Sequence, residues 1–375
     1  MARCATPADV DVDVDVVIVG NGGAGAAAAW ALTQRGRSVA VFDRFPAGHE
    51  QGSSHGTERI FRYAYSEPEF VALAIEARPG WRELELLAGE QLLGPTGGID
   101  YGNWAQLECI AAALAEYEVP FERVDRTAAR ARVPELSIAA SALVQPGGAV
   151  IAADRALTAF RSVARRAGAN FADDESVRAL HVEHDHRVVV ETSRGRVARA
   201  RVAIVAAGAW AAPLLSGLVA LPAITVTQEQ VAFFRPHNPV DGLPAFIAYD
   251  DIPVYGLGTP NGLVKIAEHG SGPVVDPDAR SFAVDETRAA ALVDWVARCA
   301  PGVDPKPVEW RTCLYASTAD DRFVLDRVGS VVVGAGLGGH GFKFLPAIGA
   351  RLADLANLEP GESIGANPFA LRSPP

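Results

Sequence analysis

The sequence predicts an α/β fold in which a Rossmann-like domain is joined to a second domain with a mixed or antiparallel sheet. The first observation is a strand, glycine turn and helix at 14–34, and the second is another glycine-rich turn at Val331–Phe344. The third is the β-type alternation that occupies Ile224–Ile266 between them. Two such turns at opposite ends predict a chain that leaves a ligand site, builds a second domain and returns to the same ligand.

The N-terminal unit contains a strand, a helix and a second strand. Val14–Val19 is a nearly continuous apolar run typical of a buried parallel strand, Ala24–Gln34 is an alanine-rich helix, and Val39–Phe42 is the second strand. Residues 20–25, GNGGAG, match the G-x-G-x-x-G pattern in this βαβ context. The unit therefore predicts a dinucleotide site, and a structural glycine turn with a surface acid is the simpler alternative.

The residues of this motif have separate roles. Gly20 permits the tight turn, Gly22 lets the backbone approach a pyrophosphate, and Gly25 allows the helix to pack closely on the strand. Asp43 ends the second strand, where a carboxylate accepts hydrogen bonds from ribose hydroxyls. Arg44 beside it could instead favour a 2′-phosphate.

The remaining elements divide between two predicted domains. We predict that residues 1–90, 145–215 and 310–375 form the discontinuous nucleotide-binding domain, and that 91–144 and 216–309 form the substrate domain. The other predicted elements are a loop at Arg59–Tyr65, helices at Val71–Leu87, Ala105–Glu116, Asp154–Ala167, Glu286–Cys299 and Ala347–Leu355, a turn at Gln145–Gly148, and strands at Val188–Val190, Val202–Ala206, Arg311–Ala316 and Arg322–Leu325.

Composition and charge limit the classes of partner. The 375 residues carry a net charge of −11, and no basic stripe offsets it, so we expect no nucleic-acid partner. No apolar run approaches the roughly 18–20 residues that span a bilayer, so we expect no membrane partner. The first 15 residues lack the apolar core of a signal peptide, which predicts a cytoplasmic protein.

Neither the cysteines nor the histidines predict a metal site. The four cysteines are too few and too scattered for a disulfide framework, and no CxxC pair occurs. His181, His184 and His186 are close in sequence but have no cysteine or carboxylate partner at a recognisable spacing, so a solvated strand end or hairpin is expected.

Several motifs occur in an order that resembles one family. They are the N-terminal glycine turn, GSSHGTERIFRYAY at 52–65, AAGAW at 206–210, GLVKIAEH at 262–269, RTCLYAST at 311–318 and GLGGHGFKF at 336–344. This order resembles monomeric sarcosine oxidase and N-methyltryptophan oxidase, within the D-amino-acid-oxidase-like flavoproteins. The resemblance covers nearly the whole chain and implies an FAD-binding domain, with FAD expected although Asp43 replaces the usual glutamate.

The resemblance implies a role for three residues next to the flavin. Cys313 matches the cysteine that carries the flavin covalently, and Arg311 nearby would lower the pKa of its thiol. Lys265 matches a buried lysine that activates oxygen, since a fixed ammonium stabilises the negative charge that develops on O2. From the residues alone, Cys313 could be a small buried hydrophobe and Lys265 a solvent-facing strand lysine.

The resemblance also implies the substrate contacts. Arg62 and Lys343 match the pair that holds a substrate carboxylate, while Arg59 lies near the flavin ring. Tyr315, His269 and the Gly339 carbonyl would line the pocket near the amine. The other expected cofactor contacts are Ser53, Ser54, His55, Thr57, Val177, Ala207, Gly208, Trp210, His340 and the backbone N–H groups of Gly338–Phe342 at a helix N-terminus, including Gly339, Gly341 and Phe342.

The expected activity is FAD-dependent oxidation of a secondary or cyclic amine of a small amino or imino acid. Hydride transfer to the flavin would give an imine, and O2 would reoxidise the flavin to give H2O2. A flavin amine dehydrogenase with another electron acceptor, a tailoring imino-acid oxidase of a biosynthetic pathway and an NADPH-dependent monooxygenase are alternatives. Residues 249–260, YDDIPVYGLGTP, differ from the family's version, so sarcosine itself is not assumed as substrate. A monomer or weak dimer is expected.

Overall fold

The structure is a computed structural model of the chain, and it describes residues 10–184, 186–240, 242–359, 362 and 364–372. Cys4 and most of the N-terminal segment assessed for a signal peptide lie outside these residues. The strands are β1 Val12–Val19, β2 Val39–Phe42, β3 Glu58–Phe61, β4 Leu93–Gly94, β5 Gly98–Gly102, β6 Glu122–Val124, β7 Ala142–Gln145, β8 Ala149–Ala152, β9 Asn170–Ala172, β10 Val177–Val182, β11 Val188–Thr192, β12 Val197–Val205, β13 Ile224–Pro236, β14 Ala245–Tyr249, β15 Val254–Gly258, β16 Val264–Glu268, β17 Val303–Thr318, β18 Val324–Val328 and β19 Val331–Ala335. The helices are α1 Gly23–Gln34, α2 Pro68–Ala88, α3 Trp104–Glu116, α4 Arg126–Arg132, α5 Ala153–Arg166, α6 Ala211–Leu215, α7 Glu286–Cys299 and α8 Leu345–Asn357.

The first sheet is the predicted Rossmann-like layer. Its strand order is β10–β11–β12–β1–β2–β9, and β19 pairs with β12 and carries β18. The pairs β12–β1, β1–β2, β2–β9 and β12–β19 are parallel. Because β1 and β19 both lie against β12, the glycine turns that follow them open at the same edge of the sheet.

Helices α1 and α8 join the two ends of the chain beneath this sheet. Gly349 of α8 packs so closely on α1 that an added Cβ would lie 2.5 Å from the Ala27 carbonyl oxygen. Trp30 of α1 contacts the Phe160 ring of α5 at a centroid distance of 5.5 Å. Burial of each such ring contributes about 1.5–3 kcal/mol, so the apolar helix faces stabilise the layer.

The second sheet is mixed, as predicted. Its order is β17–β13–β16–β15–β14–β5–β7–β6, and all its pairs are antiparallel except β14–β5. A small third sheet has the strand order β3–β8–β4. Strand β17 runs without a break across residue 310, where the sequence analysis placed a domain boundary; the proposed division of the chain stays a prediction.

Local chemistry explains where several elements begin and end. The Asn103 side chain caps α3 by accepting from the Gln106 N–H, and Asp285 caps α7 by accepting from the N–H groups of Thr287 and Arg288. Helix α2 ends at Gly89, which adopts a left-handed conformation with φ of 72°. The predicted helix at Glu286–Cys299 is confirmed at both ends.

The prediction of a loop at Arg59–Tyr65 was wrong for its first part. Residues Glu58–Phe61 form β3, which pairs with β8 about ninety residues later in the sequence. A four-residue strand with so distant a partner leaves little periodic signal. The histidine cluster lies where expected, at the end of β10 and in its hairpin connection to β11. No helix among the described residues is long and apolar enough to cross a bilayer.

Candidate active site

A cavity of about 810 Å³ opens where the two glycine turns meet the first sheet. Gly20 takes φ of +101°, and an added Cβ there would lie 2.5 Å from the Ala206 carbonyl oxygen, so only glycine fits. Gly25 does not line the cavity but packs against the Gly20 carbonyl, as its predicted role requires. The predicted residues that line this cavity are Gly20, Gly22, Asp43, Arg44, Ser53, Ser54, His55, Thr57, Val177, Ala207, Gly208, Trp210 and Gly338.

Asp43 and Arg44 occupy different positions relative to this cavity. The buried Asp43 carboxylate accepts from the backbone N–H of Asn21 at 2.5 Å and of Phe45 at 2.8 Å. Arg44 is half-exposed and forms an ion pair with Asp278 at 2.6 Å, while Trp210 donates to the same carboxylate. Arg44 is therefore paired with Asp278 in this structure rather than free to bind a 2′-phosphate.

A second cavity of about 950 Å³ continues from the first. Residues 53–57 and Gly338 line both, so the two cavities share a wall. The predicted catalytic and substrate residues that line the second cavity are Arg59, Arg62, Lys265, His269, Cys313, Tyr315, Gly339 and Lys343, together with the predicted cofactor contacts His340, Gly341 and Phe342. The structure therefore brings together side chains from β3, β16, β17 and the C-terminal glycine turn.

Lys265 points into this second cavity from β16. It is 6% exposed, which excludes the alternative of a solvent-facing strand lysine. Its Nζ lies 3.4 Å from the Glu58 carbonyl oxygen. Burial, with Arg59 as a neighbouring like charge, lowers the pKa of Lys265 to about 8.

Arg59 is fixed by backbone carbonyls on the adjoining loop. Its Nη2 donates to the carbonyl oxygens of Ser53 at 2.9 Å and His55 at 2.6 Å, and its Nη1 donates to that of Glu58 at 2.8 Å. The guanidinium lies 5.4 Å from the centroid of the Phe342 ring. Arg59 thus contacts both the loop that forms the shared wall of the cavities and Phe342 of the C-terminal turn.

Two residues of the second sheet, Tyr249 and Asp100, contact Arg62. Its Nη1 donates to the Ala64 carbonyl and to the Tyr249 hydroxyl at 3.1 Å, and it lies 3.6 Å from the Asp100 carboxylate. Asp100 also accepts from Gln145 Nε2 at 2.5 Å. Burial raises the pKa of Asp100 to about 6, against the opposing effect of Arg62.

Lys343 and His269 both line the second cavity. Lys343 belongs to the C-terminal glycine turn, and His269 directly follows β16. Lys343 Nζ donates to the His340 carbonyl at 2.7 Å, and burial, with Arg62 as a second cation, holds its pKa well below the usual value. The His269 Nδ1 lies 3.5 Å from the Tyr315 hydroxyl. Desolvation, followed by the charge of Arg62, lowers the pKa of His269 to about 4, so this ring is neutral near pH 7.

The C-terminal glycine turn differs in one respect from its prediction. Helix α8 begins at Leu345, after a 3₁₀ turn at Gly341–Phe344, so the glycines are not the N-terminus of an α-helix. The N–H groups of Gly338 and Gly341 donate to backbone carbonyls at 3.0 Å each. These two groups are therefore already occupied, and they cannot serve as the predicted donors to a bound ring.

His340 and Gly339 shape this part of the wall by packing. The His340 ring lies 4.8 Å from the Phe70 centroid and 4.9 Å from that of Phe323. An added Cβ at Gly339 would overlap the Tyr315 ring, so glycine permits this close approach. Both residues line the second cavity, as predicted.

The environment of Cys313 corrects one expectation. Burial raises the pKa of its thiol, while Arg59 and Lys265 lower it. Arg311, the predicted activating cation, instead pairs with Glu309 through a 2.6 Å contact. Three cations favour the Cys313 thiolate: Arg59 of β3, Lys265 of β16 and Arg280, none of which the sequence alone placed beside β17.

Sequence reasoning missed Glu58, Asp100 and Tyr249. Asp100 is an isolated acid between β-forming residues, which is the available signal that it faces a polar partner. Lysine usage gives a further signal: the chain has three lysines, and two of them, Lys265 and Lys343, are buried at this cavity. Among the described residues, no group of three or more His, Cys, Asp or Glu side chains is arranged for a metal ion.

The family model described as "FAD dependent oxidoreductase" matches residues 15–355. The chain belongs to this family. The flavoenzyme is 30% identical to monomeric sarcosine oxidase of Streptomyces avermitilis, over 87% of this chain and 88% of that protein. It is also 30% identical to N-methyl-L-tryptophan oxidase of Salmonella dublin, over 90% of this chain and 93% of that protein. Among solved structures, the open form of NikD, described as an unusual amino acid oxidase essential for nikkomycin biosynthesis, has a TM-score of 0.85 and 29% identity, with 96% and 97% of the two chains covered.

The residues of the flavoenzyme fit FAD. Both ring nitrogens of His55 are buried at the shared wall without a partner among the described residues, and a bound cofactor would supply one. The glycine turns leave room for a pyrophosphate in the first cavity. Cationic side chains line the second cavity, and they would stabilise a flavin ring that becomes anionic on reduction.

Proposed function

We propose that this enzyme oxidises the secondary or cyclic amine of a small amino or imino acid to an imine, with O2 as the electron acceptor and H2O2 as product. One observation carries the proposal: two candidate carboxylate-binding cations, a neutral histidine and a buried lysine line a single cavity that continues into the nucleotide cavity. When bound, FAD supplies the acceptor for the hydride from the substrate carbon.

Arg62 and Lys343 hold the substrate carboxylate in this proposal. Tyr249 and Asp100 engage the Nη1 side of Arg62, which leaves the rest of the guanidinium for a ligand. The Arg62 charge raises the cost of an ammonium at Lys343, so a carboxylate between the two relieves their repulsion. This arrangement favours amino acids over plain amines.

His269 and Tyr315 orient the amine nitrogen. The neutral imidazole and the adjacent hydroxyl, 3.5 Å apart, can each accept or donate one hydrogen bond. Neither group carries charge near pH 7, since their pKa values are shifted toward the neutral forms. They therefore favour the uncharged amine, from which a hydride can leave without a side-chain base.

Lys265 supports the reaction with O2 in this proposal. Its ammonium is buried at the cavity, where a positive charge stabilises the negative charge that forms on O2 far more than it would in water. Cys313 would carry the flavin covalently in this proposal: burial raises the pKa of its thiol, and the nearby charges of Arg59 and Lys265 partly offset that rise.

The relatives support this proposal at the level of amine chemistry. Sarcosine and N-methyl-L-tryptophan in their names are both N-methyl amino acids. The similarity to NikD favours a second candidate, a tailoring oxidase that acts on an imino acid in a biosynthetic pathway. A dehydrogenase with another acceptor would leave the buried Lys265 without a role.

Stopped-flow kinetics with separate half-reactions test the proposal. N-methyl and cyclic amino acids are mixed anaerobically with the protein, and the reduced protein is then mixed with O2 while peroxide is measured. Lys265→Met should slow reoxidation about a hundredfold and leave flavin reduction nearly unchanged. Lys306→Met, at the exposed third lysine, is the matched control. Slow reoxidation by air in the unaltered protein would overturn the oxidase assignment and favour the dehydrogenase.

A further inference from the structure

Glu58 is a buried acid at the second cavity that the proposed reaction does not use. It is the first residue of β3, is 3% exposed and lines the cavity. Its Oε1 accepts from the Thr57 hydroxyl, whereas Oε2 is buried and has no hydrogen-bond partner among the described residues. Because an unpartnered buried carboxylate oxygen is costly, this atom calls for a donor within the cavity.

The side chains of Arg59 and Lys265 both contact the backbone carbonyl of Glu58. Arg59 Nη1 lies 2.8 Å and Lys265 Nζ 3.4 Å from the Glu58 carbonyl oxygen. Two positive charges that share one acceptor repel each other, and the repulsion is strong where water is excluded. The Glu58 carboxylate is the acid of this group, and it reduces the net charge of the three side chains to about +1.

The charged and titratable neighbours of Lys265 come from several elements. They are Glu58 and Arg59 on β3, Arg311 and Cys313 on β17, and His55 on the shared wall. Arg59 and Arg311 disfavour the ammonium form, whereas Glu58 and a Cys313 thiolate favour it. Glu268, on the same strand as Lys265, pairs with Arg288 instead. Glu58 is therefore the carboxylate among these neighbours whose charge favours the Lys265 ammonium, and it acts through space, because its buried Oε2 has no hydrogen-bond partner among the described residues.

We propose that Glu58 is the counterion of Lys265 and keeps this amine protonated during reoxidation of the flavin. In that step two electrons pass from the reduced flavin to O2, which takes up the flavin N5 hydrogen and one further proton and leaves as H2O2. A protonated Lys265 stabilises the charge on oxygen. This inference rests on the proposed oxidase function for its consequence, but the charge state of Lys265 can be measured without turnover.

Lysine labelling gives a direct test. With three lysines in the chain, [13Cε]lysine yields three side-chain resonances, and Lys306→Met and Lys343→Met assign them. The holoenzyme is titrated from pH 6 to 10. Glu58→Gln should lower the pKa of Lys265 by about one unit, because loss of a nearby opposite charge disfavours the ammonium form. Glu58→Asp should retain the value.

Two controls keep the test decisive. Glu67→Gln removes an exposed carboxylate from the rim of the same cavity and should leave the Lys265 titration unchanged. Glu58→Met, which keeps the side-chain length, replaces Glu58→Gln if the latter does not fold. An unchanged Lys265 titration in a folded charge-free variant overturns the counterion role.

Reoxidation of photochemically reduced enzyme then separates this inference from the proposed function. The reoxidation rate of the unaltered enzyme should fall as the pH rises through the pKa of Lys265, and in Glu58→Gln the fall should begin about one unit lower. If the unaltered enzyme is not reoxidised by O2, the oxidase function fails while the titration result still stands. If O2 reoxidises the unaltered enzyme, and Glu58→Gln shows the same pH profile, the proposed role of Glu58 is wrong but the oxidase function is not.

Discussion

Arg62 Nη1 lies 3.6 Å from the Asp100 carboxylate, and the Tyr249 hydroxyl contacts both side chains. Asp100 belongs to β5 and Tyr249 to β14, so the second sheet positions an arginine of the segment after β3. The proposed carboxylate site therefore depends on how the second sheet packs against the segment that follows β3, a strand of the small third sheet. The first prediction below changes one group of this arrangement.

Tyr249→Phe should weaken the binding of carboxylate substrates. Loss of the hydroxyl removes one fixed acceptor of Arg62, worth about 1 kcal/mol, so KM should rise about fivefold while kcat changes little. Steady-state kinetics with the best N-methyl or cyclic amino acid give the two constants. Tyr101→Phe is the matched control, because the Tyr101 hydroxyl is buried without a partner among the described residues. Equal effects of both substitutions would contradict a specific role for Tyr249.

Lys343→Met should reduce the preference for amino acids over plain amines. Loss of one charge-assisted contact of about 1.5–3 kcal/mol predicts a 10- to 150-fold decrease in kcat/KM for the carboxylate substrate. The same substitution should change kcat/KM little for the corresponding amine without a carboxylate. A uniform decrease for both substrates would place Lys343 outside the carboxylate site.

Cys313→Ala should release the flavin. If the thiol carries the cofactor, acid precipitation of the unaltered protein leaves yellow colour in the pellet, whereas the variant gives a colourless pellet and a yellow supernatant. Cys299→Ala, at a partly buried cysteine outside both cavities, should behave like the unaltered protein. Free flavin from the unaltered protein would exclude covalent attachment.

Two half-buried histidines should make the apoprotein sensitive to acid. Desolvation lowers the pKa of His55 to about 4 and that of His340 well below its usual value. Between pH 6.5 and 4 the unfolded chain then binds more protons than the folded one, so the free energy of unfolding decreases as the pH falls. The slope for one such histidine approaches about 1.4 kcal/mol per pH unit.

Urea unfolding at several pH values measures this slope. His340→Phe keeps an aromatic ring among Tyr65, Phe70 and Phe323 but removes the titrating group, so its stability should depend less on pH. His237→Gln, at an exposed position, is the control and should leave the slope unchanged. Parallel pH profiles for the unaltered protein and His340→Phe would contradict the prediction.

The elements with strong periodic signals were predictable from the sequence. The βαβ unit around Gly20, the helix at Glu286–Cys299 and the strand that presents Lys265 were confirmed because each is defined by residues close in sequence. The motif order also placed Arg62 and Lys343 at one cavity.

The groups around these residues were not predictable in the same way. Asp100 lies beside Tyr249 because β5 pairs with β14, and the Glu58 carbonyl accepts a contact from Lys265, which is more than two hundred residues away in sequence. Arg311 was expected to act on Cys313, but its guanidinium pairs with Glu309, two residues earlier on the same strand. Such contacts depend on register and packing, which no local pattern encodes.

Gly20 and Gly338 line the same nucleotide cavity although more than three hundred positions separate them. During synthesis, the first glycine turn emerges from the ribosome long before β19 and α8 exist to complete the cradle. The part of α1 that packs against α8 must therefore stay uncovered until the C-terminal helix arrives. Capture of the coenzyme is accordingly one of the last events in the biogenesis of this protein, and a nascent chain stalled before residue 330 should not retain it.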